Sequence, residues 1–311
     1  MSSHPTPAAG VATTAPDLLS GLLAAAVDDA AAPAPAGRVV ASHLRHRGAW
    51  YAPFVGSLRL TDQDLPGLTG QLDADPVPSP LPVALVVIGG AGAVEPALAW
   101  ATRHPGLQLR SLHTCLRDED DLPRNASRLV TALGGQLPDG VAVHVEVPFT
   151  AGQRPGPGWA GALDVVAGAG HRLDVRTSGS WQHDHPGSSA LVVVLDAAVD
   201  RELPVACTGI DRALGSKQPV TGYWEHGLLG VLAALSALLD GAAADEAAAL
   251  LDAVVGDPAA PSQACRSALQ RVADADPGRL RRSWTGTSSA DVECLARDLG
   301  TLGLIGSRTP R

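Results

Sequence analysis

A chain of 311 residues, 45% of them hydrophobic, can bury a sizeable core as one large domain or two ordinary ones. Its net charge of −9, with basic residues scattered singly, argues against a nucleic-acid binder, because neutralising phosphates takes clustered Lys and Arg. Lys217 stands against 22 arginines, in the residue usage of a GC-rich genome, and leaves any Schiff-base mechanism a single candidate.

Residues 1–16 read as a disordered tail without the basic start of a signal peptide. Asp17 is placed to cap a helix running to about Ala31, the Ala-Pro alternation at 32–36 breaks it, and a second helix follows over 37–47. Together, 17–50 read as an N-terminal helical arm. From there strands alternate with helices. The expected strands are 53–60, 83–89, 107–113, 141–147, 172–177 and 204–208; the helices between them lie near 62–72, 91–103, 124–136, 157–169 and 187–202. An apolar helix over 223–240 comes next, bracketed by Glu225 and Asp240 and too short for the ~20 residues of a membrane span. Residues 243–277 read as helical with Asp-Pro breaks at 257 and 276; 281–287 reads as a last strand and 290–300 as a last helix.

Strands alternating with helices mean parallel strands joined by right-handed crossovers. Two architectures fit, an open doubly wound sheet and a (β/α) barrel. No Gly-rich dinucleotide fingerprint follows the first strand, and charges on adjacent strands find a home in a barrel lumen, so the expected fold is an α/β, TIM-barrel-like domain over 51–311. It is imperfect as counted: seven strands are visible, not eight.

Two of these strands carry charge on one face. His144 and Glu146 alternate with valines over 141–147, and Arg172, Asp174 and Arg176 share a face over 171–177. Strands covered by helices are normally apolar on both faces, so such charges point to a site or to a salt-bridge plug in the lumen. In the functional reading Glu146 or Asp174 is a general base and Arg176, with Arg110 from the preceding strand, clamps an anion. Thr177 and Ser178 open a hydroxyl-rich turn after the sixth expected strand's predecessor, and Thr208 and Asp211 follow 204–208 at the mouth. Trp224 and His226 open the apolar helix, with His226 and Asp211 as assisting acid–base groups.

His183 and His185 stand two apart and are candidate ligands for a divalent metal, with His144, Glu146 or His226 completing the set; a solvated loop is the plain alternative. Cys115, Cys207, Cys265 and Cys294 lack Cys-x-x-Cys spacing and read as reduced thiols of a cytoplasmic protein. Cys207 is a nucleophile only with a histidine beside it, and Lys217 forms an imine only if buried.

Several stretches also resemble an uncharacterised family of bacterial barrel-like proteins. Asp28-Asp29-Ala30-Ala31 matches its N-terminal turn, with Pro33-Ala34-Pro35 in place of Phe-Pro-Pro. Val145-Glu146-Val147-Pro148 matches its Val-Glu-Val-Pro strand, and Val175-Arg176-Thr177-Ser178-Gly179 resembles Leu-Arg-Thr-Gly-Gly. Cys207-Thr208-Gly209 stands for Cys-Thr-Ala-Gly-Leu-His-His, His226-Gly227-Leu228-Leu229-Gly230 for His-Gly-Phe-Leu-Asn, and 298–304 for Asp-Leu-x-x-Leu-Gly-Leu. The resemblance runs in one order from about residue 17 and implies a barrel-like fold without an assigned activity. Two lysines of the pattern are replaced by Asp174 and Ala206, and the tandem histidines are gone, which implies a divergent or disabled member.

The expected function is therefore an enzyme acting on a small anionic metabolite by acid–base chemistry of the lyase or isomerase type, at the C-terminal mouth of the barrel. Its partner is that small molecule, with no nucleic acid and no membrane. The alternatives are a barrel that binds or scaffolds without catalysis, and a metal-dependent hydrolase.

Overall fold

A computed structural model describes residues 19, 21–30, 34–117, 120–149, 156–179, 184–217 and 222–306. Its strands are β1 (Val27–Asp29), β2 (Val55–Thr61), β3 (Leu81–Val87), β4 (Leu107–Cys115), β5 (Ala142–Glu146), β6 (Arg172–Arg176), β7 (Val205–Thr208), the two-residue β8 (Ser216–Lys217) and β9 (Trp224–Glu225), and β10 (Trp284–Ser289). Eight of them close a parallel barrel in the order β1-β10-β7-β6-β5-β4-β3-β2. The fold is thus the α/β, TIM-barrel-like one expected, and closed.

The helices are α1 (Ala36–Arg47), α2 (Leu65–Ala74), α3 (Ala91–Arg103), α4 (Leu122–Leu133), α5 (Pro157–Gly168), α6 (Ser188–Val199), α7 (Leu228–Leu239), α8 (Ala244–Ala253), α9 (Gln263–Asp274), α10 (Pro277–Ser283) and α11 (Val292–Thr301). Most agree with the expected bounds to within a few residues, because each carries an apolar stripe for the barrel wall. In α4 that stripe is Ala126, Leu129 and Leu133. Asp121, Ser262, Asp276 and Asp291 accept from backbone N–H groups at the starts of α4, α9, α10 and α11. Among the described residues no helix is long and apolar enough to cross a membrane. The most apolar, α7, is buried along almost its whole length because it packs against α6, α8, α9 and α10.

The strand missing from the sequence count is β1. The expected helix from Asp17 to Ala31 ends early: described residues are helical to Leu23, Ala25 takes a positive φ of 49°, and Val27–Asp29 pair in parallel with both β10 and β2. The segment read as an arm therefore supplies the strand that closes the barrel. Three residues in an alanine-rich context carry almost no local β signal, and their pairing partners lie far along the chain. The apolar helix also begins later than expected, at Leu228, since Trp224 and Glu225 form an antiparallel pair with Lys217 and Ser216.

β4 also departs from the expected phase. Its ladder to β3 skips Arg110: Val83 pairs with Leu109, but Ala84 pairs with Ser111. The bulge leaves Arg110 exposed, bonded to Gln108 Oε1 at 2.8 Å, and turns Ser111 and His113 inward instead. Arg110 therefore takes no part in the lumen network.

Candidate functional site at the C-terminal mouth of the barrel

Alternation along the strands turns Arg59 of β2, His113 of β4, His144 of β5, Asp174 of β6 and Thr208 of β7 into the lumen. Asp174 is the hub. Its Oδ2 accepts from Arg59 Nη2 at 3.0 Å and from His113 Nδ1 at 2.8 Å, and its Oδ1 accepts from Thr208 Oγ1 at 2.6 Å. Burial by itself would raise the Asp174 pKa, but the Arg59 guanidinium and His113 outweigh it and hold the carboxyl well below its ordinary value.

Arg59 Nη1 also lies 2.9 Å from His113 Nδ1. One ring nitrogen cannot donate to the carboxylate and accept from the guanidinium. A lone pair facing Asp174 at 2.8 Å would be repelled, so Nδ1 carries the proton and Nε2 accepts from Ser111 Oγ at 3.1 Å. Burial, reinforced by Arg59, lowers the His113 pKa. His144 stacks on that ring, centroids 4.4 Å apart and planes tilted by 8°, and burial together with His113 pushes its pKa well below the ordinary value. Both rings are neutral at neutral pH.

β1 adds Asp28. Asp29, its neighbour, points the other way, to His43 of α1 at 3.1 Å, so Asp28 faces the lumen, where its Oδ1 accepts from the Ser57 N–H at 2.7 Å. Burial raises the Asp28 pKa; His113 and Arg59 partly offset this, and the Asp174 charge adds to the rise. Two carboxylates thus share one lumen with opposite tendencies, Asp174 held ionised and Asp28 biased toward the protonated form.

At the strand ends Glu146 and Arg176 form a bidentate pair, Nε to Oε1 at 2.8 Å and Nη2 to Oε2 at 2.7 Å, with Asp184 Oδ1 3.8 Å from Arg176 Nε. The Glu146 bond and charge raise the Arg176 pKa further above its ordinary value. A cavity of about 460 Å³ opens beside Ala30 and Ala34, between the start of α1 and the start of α2. Ala30, Val39, Leu60, Leu68 and Val86 line it together with Arg59.

Of the residues singled out in the sequence, the structure joins Asp174 with Thr208, and Glu146 with Arg176. Most of the others are engaged elsewhere. The Thr177 N–H and Oγ1 both donate to the Thr208 carbonyl at 2.9 Å, and Ser178 Oγ donates to the Gly209 carbonyl at 2.8 Å, which staples the β6 loop to the β7 loop. Asp211 Oδ1 accepts from Ser289 Oγ and the Ala290 N–H, both at 2.7 Å, so it organises the β10–α11 turn and is no lumen acid. His226 is buried before α7 with Nε2 on the Pro186 carbonyl at 2.8 Å; burial lowers its pKa. Trp224 pairs with Lys217 in the β8–β9 ladder, its indole N–H buried with no hydrogen-bond partner among the described residues. His183 lies outside the described residues. His185 Nε2 donates to the Gly179 carbonyl at 3.0 Å, and no group of three or more His, Cys, Asp or Glu placed to share a metal ion is found among the described residues. Cys207 is fully buried, and desolvation pushes its thiol up to about 12, so it is no nucleophile. Lys217 is exposed.

Sequence reading missed Arg59, His113 and Asp28. Arg59 had a visible signal, a single charge between Leu58 and Leu60 in an apolar strand. His113 was hidden by the bulge and Asp28 by the unrecognised strand.

No family model matches the chain, and no curated protein matches it either.

Proposed function

We propose that this chain is an enzyme that moves a proton on a small anionic metabolite, in lyase- or isomerase-type chemistry, at the C-terminal mouth of the barrel. The observation that carries the reading is the open cavity reaching Arg59, whose guanidinium is shared with a lumen that holds two carboxylates of opposite tendency. Arg59 presents spare donors to a substrate anion. Asp174 fixes that guanidinium and the His113 tautomer. Asp28 is the group poised to take and return a proton, because its raised pKa brings the two protonation states closer together. The expected roles of Glu146 and Arg176 change accordingly: their mutual pair makes them a gatepost at the mouth, opened only by a substrate that replaces one partner.

The chain also fits a divergent member of the bacterial barrel family it resembles. The stretches that carry that resemblance include β1, the ends of β5 to β7 and the start of α7. Asp174 and Ala206, at the family's lysine positions, are ladder partners on β6 and β7. Replacing both lysines removes an amine nucleophile from the lumen and puts a carboxylate hub there. This exchange also favours a second reading, a barrel that binds the anion without turning it over. Cysteines that form no disulfide fit a reducing cytoplasm.

The test is deuterium uptake from D2O into a panel of short-chain keto and hydroxy acids, followed by mass spectrometry. Exchange by the wild-type protein that disappears in Asp28→Asn is expected. Equal exchange in both would remove Asp28 from the chemistry, and no exchange in the wild type would favour the binding protein.

A further inference from the structure

We infer that the N-terminal end of the barrel, opposite the mouth, binds a small divalent oxyanion of the phosphate type between Arg172 and Arg281. This site is separate from the acid–base chemistry proposed for the mouth and does not depend on it.

Strand phase places Arg172 there. It opens β6, two residues before Asp174 and on the same inward face, and its ladder partner is His144 of β5. His144 Nε2 lies 3.3 Å from Thr285 Oγ1 at the start of β10. That hydroxyl donates to the Val205 carbonyl at 3.1 Å, so the neutral ring donates to it. The Thr285 carbonyl in turn takes Arg281 Nη1 at 3.2 Å. Arg281 comes from α10, and its other bonds also end on carbonyls, Leu22 at 3.2 Å and Ala24 at 3.4 Å. A short chain of contacts thus joins the two arginines around the lower rim.

Neither guanidinium has a counter-charge. Among the described residues Arg172 makes no hydrogen bond and no ion pair, and Arg281 meets no carboxylate. The loops that lead into the barrel strands at this end are all described, and their acids Asp75, Asp139, Asp200 and Glu202 are exposed and pair with neither arginine. The other arginines of α10 have acids of their own, Arg279 with Asp240 at 3.6 Å and Arg282 beside Asp276. Burial lowers the pKa of Arg172 and of Arg281, and the charge of Arg172 lowers Arg281 further, whereas Arg176 and Arg212, which hold carboxylates, are raised. Two partly buried like charges without an acid destabilise the fold, and an anion between them removes that penalty.

The charges set the ligand class. Each guanidinium presents a planar fork of N–H donors that matches phosphate oxygens. A hydrogen phosphate or sulfate dianion balances both charges; a monocarboxylate or a chloride balances one. Barrels of this architecture do their chemistry at the other end of the strands, so the ion acts here on stability, by tying β6 to α10.

The experiment is isothermal titration calorimetry and thermal melting of the full chain in a phosphate-free buffer, at a pH where phosphate is divalent, with sodium chloride holding the ionic strength constant. Inorganic phosphate, sulfate, methyl phosphate and acetate are the probes. Phosphate and sulfate are expected to bind at least about tenfold tighter than acetate. Saturating phosphate should raise the melting temperature by about 4 °C or more. Methyl phosphate binding as tightly as phosphate would assign the site to the phosphoryl group of a larger ester; binding at least about tenfold weaker would assign it to the free ion. Arg172→Met removes the charge and keeps an unbranched side chain. It should abolish the phosphate heat and the melting gain, yet be no less stable than the wild type without phosphate, because an uncompensated charge is gone. Arg281→Met should also abolish binding, and lose stability through the three carbonyls it releases. Phosphate binding that survives in Arg172→Met, a melting gain equal in that variant and the wild type (the general effect of an excluded salt), acetate as tight as phosphate, or no heat with the wild type would each overturn the inference.

Discussion

Asp174 carries more of the site than any other side chain, because three groups from three strands end on its two oxygens. Desolvating a carboxylate costs several kcal/mol, and only full pairing offsets it. Asp174→Asn keeps the shape but leaves the Arg59 charge buried without its counter-ion. The expected loss is about 3–5 kcal/mol of unfolding free energy, read from urea titrations. The double variant Arg59→Met, Asp174→Leu should lose less than Asp174→Asn alone, since no charge is stranded. A double variant that is worse than the single would mean that the lumen is held by hydrogen-bond geometry and not by charge balance.

Among the elements, the entry to α7 is a tight junction. Gly227 precedes the helix where the chain returns from the β8–β9 hairpin, and a Cβ there would overlap the backbone of Leu214 and Gly215. Backbone cannot step aside as a side-chain end can. Gly227→Ala is therefore expected to cost about 3 kcal/mol, at the upper end of ordinary overpacking. Three residues on, a Cβ added to Gly230 would meet Leu251 and Val254 at ordinary contact distances of 3.5 and 3.6 Å. Gly230→Ala should stabilise by about 0.5–1 kcal/mol through helix propensity. Thermal melts of the two variants check the pair, and a Gly227→Ala protein as stable as the wild type would show that the junction can open.

The molecule as a whole couples this lumen to pH. His113 and His144 titrate below their ordinary value of 6.5 when folded, so below that pH the unfolded chain binds more protons than the native one. Their contribution is complete above about pH 6.5 and is lost as pH falls toward their folded pKa values. Asp174, also lowered, adds the same sign at lower pH, through and below the ordinary carboxylate range. Asp28 has the opposite sign: its raised pKa favours the folded state at acid pH, and that advantage disappears as pH rises through its folded value. The urea midpoint should therefore be flat near neutrality and fall as pH drops below about 6.5. In Asp28→Asn, whose amide oxygen can still accept from Ser57, the protein should gain stability at neutral pH relative to the wild type. A midpoint that rises on acidification would contradict the neutral, buried histidines.

The alternation of strands and helices was readable from residues alone, because each element buries a face against its neighbours and periodicity records that face. So was the unusual charge on 141–147 and 172–177, whose Glu146 and Arg176 pair with each other and whose Asp174 meets Thr208 of β7. The closing strand was not readable, since Val27–Asp29 owe their extended form to partners near 55 and 287 and not to their own preferences. Nor were the partners of Asp174, since Arg59 and His113 reach it from β2 and β4 across the lumen. A one-residue bulge at Arg110 exchanged the inward face of β4 from Arg110 to His113 and altered the site without changing the composition of the strand. Local sequence specifies which faces are apolar; strand register, a property of the closed barrel, decides which charges meet.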